Sequence, residues 1–164
     1  MQILLLFSHT YWADSKVNKA LLESAKTLEN VTIHNLNTAY PDGKINTEAE
    51  IALLQKAEKI IAQFPLFWFS TPAIMKEWQD KILTHIHHSA NPKLLSHKKF
   101  SIITTAGGDE TSYDGHHGYT LDTLLSSINY AFSYNGCEVQ EIYCIYKANV
   151  DNLPIREYLL KLQG

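Results

Sequence analysis

Cysteine, proline and glycine are scarce in this chain, with 2, 5 and 7 copies among 164 residues. Cys137 and Cys144 are too widely spaced for a C-x-x-C or zinc pattern, and neither is followed by arginine at the spacing of a phosphatase loop. They read as buried free thiols in or beside a late strand. An excess of either charge is also missing: 14 Lys+Arg stand against 17 Asp+Glu, a net −3. Nothing in that balance offers a footprint for a nucleic-acid backbone. Long apolar runs are absent, since Ile3 to Phe7 is short and the first basic residue is Lys16. No secretory or membrane segment is expected, and a cytoplasmic protein follows. No repeat or low-complexity tract interrupts the chain, so one domain over residues 1–164 is expected.

Apolar and aromatic residues are plentiful. Hydrophobic residues make up 45% and charged ones 19%, which argues against disorder and for a substantial core. Short β-branched or Leu-rich runs alternate with stretches of helical period, the pattern of an α/β fold. Strands are expected at Gln2 to Phe7, Val31 to Asn35, Lys59 to Phe64, Lys99 to Thr105 and Glu138 to Tyr146. The first, third and fourth are almost continuously apolar, as central parallel strands covered on both faces should be. The second and fifth are more polar and suit sheet edges.

Helices fill the gaps. Ser15 is a plausible N-cap for the stripe Val17, Leu21, Ala25 and Leu28. Thr47 and Glu50 have the spacing of a capping box ahead of Ile51 and Leu54. Thr71 and Pro72 read as N-cap and first-turn proline before Ile74, Trp78, Ile82 and Ile86. Thr120 opens a helix closed by Asn135 and Gly136, and a last helix carries Ile155, Leu159 and Leu162. Strict alternation of this kind fits a doubly wound, flavodoxin-like sheet of five parallel strands in the order 2-1-3-4-5. Ligands of such sheets bind beyond the carboxyl ends of the strands, where the loops after strands 1, 3 and 4 converge.

Those three loops carry the chemistry. The first, Ser8 to Ser15, leads into Lys16, Val17 and Asn18; free amides at a helix start suit a phosphate, or Ser15 only caps its helix. It matches neither the dinucleotide GxGxxG turn nor a P-loop. The second, Pro65 to Pro72, has Phe67, Trp68 and Phe69 in succession, which cannot all face one core. A flat aromatic ligand explains them, as does a surface cluster or dimer contact. The third, Thr104 to Tyr119, pairs Gly107 with Gly108 and supplies Tyr113 and His117, either for proton and charge support or as parts of a flexible lid. His85, His87 and His88 fit a helix end better than a metal site. A phospho-receiver of the same fold is excluded, because strand 3 ends at Phe64-Pro65 without the aspartate it needs.

The chain resembles the flavodoxin-like NAD(P)H:quinone oxidoreductases, a family that includes ancillary subunits of glutathione-gated potassium efflux systems. The residues Pro65-Leu66-Phe67-Trp68-Phe69-Ser70-Thr71-Pro72-Ala73-Ile74-Met75-Lys76-Glu77-Trp78 are similar to the family's P-[LM]-Q-W-[FY]-x-x-P-A-x-[LM]-K-x-W signature. Thr104-Thr105-Ala106-Gly107-Gly108 resembles its T-T-G-G segment, and His9, Ser15 and Asn18 have the spacing of its shorter bacterial members. The resemblance implies a bound flavin, FMN in preference to FAD. It implies that His9, Ser15, Val17 and Asn18 hold the phosphate or ribityl end. Pro65, Leu66, Phe67, Trp68 and Phe69 would line the isoalloxazine ring, and Thr104, Thr105, Ala106 and Gly107 its pyrimidine edge. Tyr113 and His117 would be catalytic. NAD(P)H would dock directly over the flavin and a quinone would follow it. A homodimer is implied, and the unpaired surface aromatics Tyr11, Trp12 and Phe69 are candidates for its contact; the alternative is a flavoprotein that regulates a potassium efflux antiporter. Phe67 stands where the family has Gln, Ala106 where it has a first Gly, and Tyr113 and His117 lie closer together than in longer relatives.

Overall fold

The computed structural model describes residues 1–164. Five stretches of strand are central or flanking: β1 (Ile3–Phe7), β2 (Val31–Asn35), β3 (Lys59–Pro65), β4 (Lys99–Thr105) and the pair β5 (Glu138–Val139) and β6 (Tyr143–Ile145). Six α-helices connect them: α1 (Val17–Ala25), α2 (Leu36–Ala39), α3 (Thr47–Lys56), α4 (Ala73–His88), α5 (Leu121–Tyr134) and α6 (Ile155–Gln163). All pairings are parallel and the order is β2-β1-β3-β4-β5, the flavodoxin-like order expected. The central strands are buried along nearly their whole length, whereas β2 is half-open at one edge.

The fifth strand is not continuous as its alternating sequence suggested. Glu138 pairs with Lys99 and Val139 with Phe100, but Tyr143 pairs with Ile103, so this edge gains one residue relative to β4. The extra residue breaks the ladder between Gln140 and Ile142, as a bulge does at a sheet edge.

Alternation along the strands divides the core into two layers. Leu4, Leu6, Ile60, Ala62, Phe64, Phe100 and Ile102 face α3, α4 and α5. Ile3, Leu5, Phe7, Ile61 and Ile103 face α1 and α6. In the larger layer Phe100 of β4 stacks on Phe132 of α5 with centroids 3.7 Å apart, and Trp78 of α4 lies parallel to Phe132 at 6.3 Å. Such pairs add about 0.5–1.5 kcal/mol beyond area burial, and they fix the spacing of α4 and α5 over the sheet. Both cysteines are free; Cys137 is buried, but Cys144 is only half-buried. Burial pushes both thiols up to about 12, so neither is a ready nucleophile.

Three expected caps are placed differently. Lys16, not Ser15, is the N-cap of α1, and it makes no side-chain cap bond. Pro72, not Thr71, precedes α4. Asn46, not Thr47, caps α3 by accepting from the Ala49 amide at 3.1 Å. Glu50 is thereby released from the capping box and turns inward, fully buried. Its carboxylate accepts from His34 Nε2 at 2.7 Å, Trp78 Nε1 at 2.7 Å and the Tyr40 hydroxyl. Burial alone would raise its pKa, but the hydrogen bonds from His34, Tyr40 and Trp78 outweigh it and hold the carboxyl below the ordinary value.

Thr120 caps α5 as expected, accepting from the Thr123 amide at 3.1 Å. At the other end the Gly136 amide donates to Ser133 O at 2.9 Å and the Cys137 amide to Phe132 O at 3.1 Å, a Schellman ending. Gly136 has φ +92°, and a Cβ there would lie 2.8 Å from Ser96 Oγ and 3.1 Å from Ser96 Cα. Gly136→Ala is therefore expected to lower the unfolding free energy by about 2 kcal/mol in urea titrations. A loss below about 0.5 kcal/mol would show that the turn relaxes freely.

Candidate functional site

Parallel pairing brings the ends of β1, β3 and β4 together, and direct contacts join their three loops pairwise. The His9 ring meets the Phe67 ring edge-on at 6.0 Å, and Tyr11 meets Phe67 at 5.7 Å, joining the loops after β1 and β3. The Leu66 amide donates to Thr105 O at 2.9 Å, joining the loops after β3 and β4. Asn18 Nδ2 donates to Thr105 Oγ1 at 3.2 Å, closing the triangle.

Each corner is built by local rules. After β1 the chain makes a short 3-10 turn (Trp12–Asp14) before α1. The Tyr11 amide donates to His9 Nδ1 at 2.9 Å, which leaves Nε2 as the protonated ring nitrogen. Burial first, and then Lys19, hold the His9 imidazole below its ordinary value, so it is neutral at pH 7. The His9 amide donates to Asn37 Oδ1 at 2.8 Å, a residue of α2 that no sequence pattern singled out. The amides of Lys16, Val17 and Asn18 have no protein acceptor, as the first amides of a helix do not. They form an anion-accepting helix start. Ser15 is buried beside it. Trp12 is half-buried, edge-on to Phe7 at 5.2 Å with Lys19 Nζ over its ring, so it is not the free surface aromatic expected.

Asn18 points into the molecule. Besides Thr105 it accepts from Gln63 Nε2 at 3.4 Å, and Gln63 Oε1 accepts from the Tyr158 hydroxyl at 2.8 Å. The side chain braces the crevice from beneath, and its main-chain amide is what remains available to a ligand.

After β3, Phe67 and Ser70 exchange two backbone hydrogen bonds of 2.9 Å, closing a two-residue turn on Trp68 and Phe69. Both central residues have positive φ, 42° and 67°, the signature of a type I′ turn normally filled by Asn-Gly. Trp68 is 90% exposed and Phe69 54%, while Phe67 and Leu66 are half-buried. Pro65 ends the strand opposite Thr105. Strain of this kind costs of order 1–3 kcal/mol per residue and here holds two aromatic rings in water at the crevice rim.

After β4, Thr104 is buried with its hydroxyl donating to Phe64 O at 2.8 Å. Ala106 is not among the residues with positive φ, so the substitution for glycine carries no strain there. Its amide donates to Ile145 O at 3.0 Å and its carbonyl accepts from Ala148. The amides of Gly107 and Gly108 have no acceptor in the chain, and a Cβ at Gly107 would meet nothing within 4 Å. Asp109 anchors the next segment: it accepts from Thr111 and Ser112 and pairs with Lys147 at 3.3 Å. Those hydrogen bonds, Thr111 first, hold its carboxyl down to about 2.

Tyr113 lies half-buried at the end of a 3-10 turn (Glu110–Tyr113), its ring stacked on Tyr146 at 5.9 Å and packed against the same apolar cluster as Leu66. His117 is exposed with its ring 5.4 Å from His116, and no hydrogen bond ties it to the other candidates. Tyr113 is thus drawn towards the crevice, whereas His117 stands out on the exposed loop after β4. A groove of about 580 Å³ between α4 and α5 begins at Ser70 and Thr71 and is walled by Gln79, Leu83 and Tyr134.

The strained turn yields a direct test. Replacing Trp68-Phe69 by Asn-Gly is expected to raise the unfolding free energy of the ligand-free protein by about 1–2 kcal/mol in urea titrations. The same change removes the exposed rings, and binding of aromatic ligands to the crevice should weaken; a protein made less stable would mean that the turn is not strained.

Comparison with known proteins agrees with this architecture. The chain is 39% identical over 168 residues to the ancillary protein KefF of the glutathione-regulated potassium-efflux system of Salmonella typhimurium, covering 98% of this chain and 94% of that protein. General stress protein 14 of Treponema denticola, solved in complex with FMN, superposes with a TM-score of 0.90 at 23% identity, covering 99% of this chain and 98% of that one. An NADPH-quinone reductase from P. pentosaceus gives 0.86 at 23% identity, covering 99% and 96%. Residues 1–162 match the family described as having a flavodoxin-like fold, and the chain belongs to that family.

Proposed function

We propose that this protein is a flavin-dependent NAD(P)H:quinone oxidoreductase with FMN as its cofactor, built as one flavin-binding domain. The observation that carries the reading is the closed triangle of loops, with unused amides at Lys16, Val17 and Asn18 on one side and at Gly107 and Gly108 on the other. The residues fit the group. A phosphate suits the start of α1, where free N–H groups and the helix dipole both favour an anion. Flat apolar surface from Leu66 to Phe69 suits a ring system, and the open approach at Gly107 leaves the main chain free to meet its polar edge.

A bound flavin would supply two-electron chemistry between NAD(P)H and a quinone. The chain supplies position and polarity. His9, Ser15, Val17 and Asn18 hold the phosphate and ribityl end, with the neutral His9 offering its Nε2 hydrogen. Pro65, Leu66, Phe67, Trp68 and Phe69 would line the ring; Thr104, Thr105 and Ala106, whose own polar groups are engaged in the chain, would place Gly107, whose free amide would meet its pyrimidine edge. Tyr113, beside the crevice, and His117, on the exposed loop after β4, are assigned to charge and proton support for the acceptor. A homodimer fits the same reading, since the groove between α4 and α5 runs from the site past the exposed Tyr130 and Tyr134.

A second reading has its own support: the 39% identity to an ancillary potassium-efflux protein over 98% of the chain. On that reading the flavoprotein regulates a potassium efflux antiporter, and reductase turnover is secondary. No helix is long and apolar enough to cross a membrane, so membrane association would run through such a partner.

The purified protein is expected to be yellow, or to become so on adding FMN, and to oxidise NADH or NADPH only when a quinone is present. A protein that binds neither FMN nor FAD would sink the enzyme reading; a yellow protein inert towards quinones would favour the regulatory one. His117→Ala is expected to retain flavin and to lose about 10²-fold in quinone turnover, measured as kcat in steady-state assays. Unchanged kcat would remove His117 from the catalytic set.

A further inference from the structure

The buried Glu50 carboxylate lies outside the crevice, yet its three donors sit on three different elements. His34 belongs to β2, Tyr40 ends α2 and Trp78 lies on the second turn of α4. Glu50 is the one acidic residue among the buried ones, and its charge is met by these three hydrogen bonds, with His34 Nε2 at 2.7 Å also within ion-pair distance.

Two of these elements reach the site. The single turn α2 is braced at its start by Asn35, whose side chain accepts from the Asn37 amide at 3.0 Å, and at its end by Tyr40 on Glu50. Between them Asn37 Oδ1 receives the His9 amide at 2.8 Å. Four residues of helix have little stability of their own, so the position of Asn37 depends on these braces. On the other side Trp78 ties α4, which begins just after the Trp68-Phe69 turn, to the same carboxylate.

We propose that Glu50 is a positioning residue for the crevice: through Tyr40 and α2 it sets Asn37, and Asn37 fixes the main chain of His9 in the loop after β1. The proposal rests on the flavin reading for what that loop binds, but not for the coupling itself. Two oxygens hold two loops in register, which an apolar side chain at position 50 cannot do.

The test separates the two links. Tyr40→Phe cuts the link to α2 and leaves Trp78 and His34 on the carboxylate; Trp78→Phe cuts the link to α4 and leaves Tyr40. In the full-length protein, Tyr40→Phe is expected to speed amide hydrogen exchange at His9 by at least about tenfold, with exchange at Leu5 and Ile61 in the central strands following global stability only. Trp78→Phe should leave His9 protected after the same correction. Asn37→Ala should reproduce the effect of Tyr40→Phe at His9 with the Glu50 cluster intact. FMN titration should then show Kd raised about tenfold or more in Tyr40→Phe and Asn37→Ala. Glu50→Ala, which cuts both links, should show the same loss if it folds. The proposal is overturned if His9 exchange tracks global stability alike in Tyr40→Phe and Trp78→Phe, or if Kd is unchanged where exchange is faster. A wild-type protein that binds no flavin would end the flavin reading, while the exchange measurements would still decide the role of Glu50.

Discussion

Because β3 pairs in parallel with β1 on one side and with β4 on the other, three chain segments leave the sheet at the same end and within hydrogen-bond reach of one another. The register sets the details. Gln63 lies opposite Phe7, and Pro65 opposite Thr105, so the loop after β3 starts where the loop after β4 does. Everything proposed for the crevice depends on that alignment. Residues distant in sequence, such as Asn18, Leu66 and Thr105, become neighbours through backbone pairing before any side chain acts. Burial on both faces then makes the frame stiff, which lets the loops hold strained conformations.

Much of this was legible in the sequence because it is local. Continuous apolar runs marked the central strands, alternating polar ones marked the edges, and the strand order followed. The three loops of interest could be found without coordinates for the same reason. What escaped was set by long-range burial. Glu50 three positions after Thr47 reads as a capping box, and only its packing against Tyr40 and Trp78 reveals a buried carboxylate. The break in the last strand comes from a one-residue mismatch with β4, which no single strand's sequence displays. Asn37 escaped because a four-residue helix has too few turns to show a period.

The turn at Trp68-Phe69 illustrates a different limit. Turn chemistry is read from Asn and Gly, and aromatic residues at both left-handed positions hide the turn from that rule. Local preference and global structure disagree here, and such disagreements concentrate at functional sites. The same two residues answer two requirements: their main chain bends to free the amides of the turn, and their side chains present flat surface. A turn filled by Asn-Gly would satisfy the first and abandon the second. The aromatic richness of the sequence is therefore divided between two tasks. Phe100, Phe132 and Trp78 stack inside to space the helices, while Trp68, Phe69 and Tyr11 stand exposed at the rim.

That rim connects the enzymatic and the regulatory readings physically. A flat ligand entering the crevice at this rim would meet Trp68, Phe69 and Tyr11, and a protein partner seated on exposed aromatics would cover the same side chains. Two ligands that share a surface compete, whereas two that order the same strained turn assist each other, because the second meets a turn already fixed. The sign of that coupling is set by whether a partner leaves the turn open or closes it. On the two proposed readings a reductase and a regulator therefore need not differ in fold or in cofactor site; they would differ in what rests on Trp68.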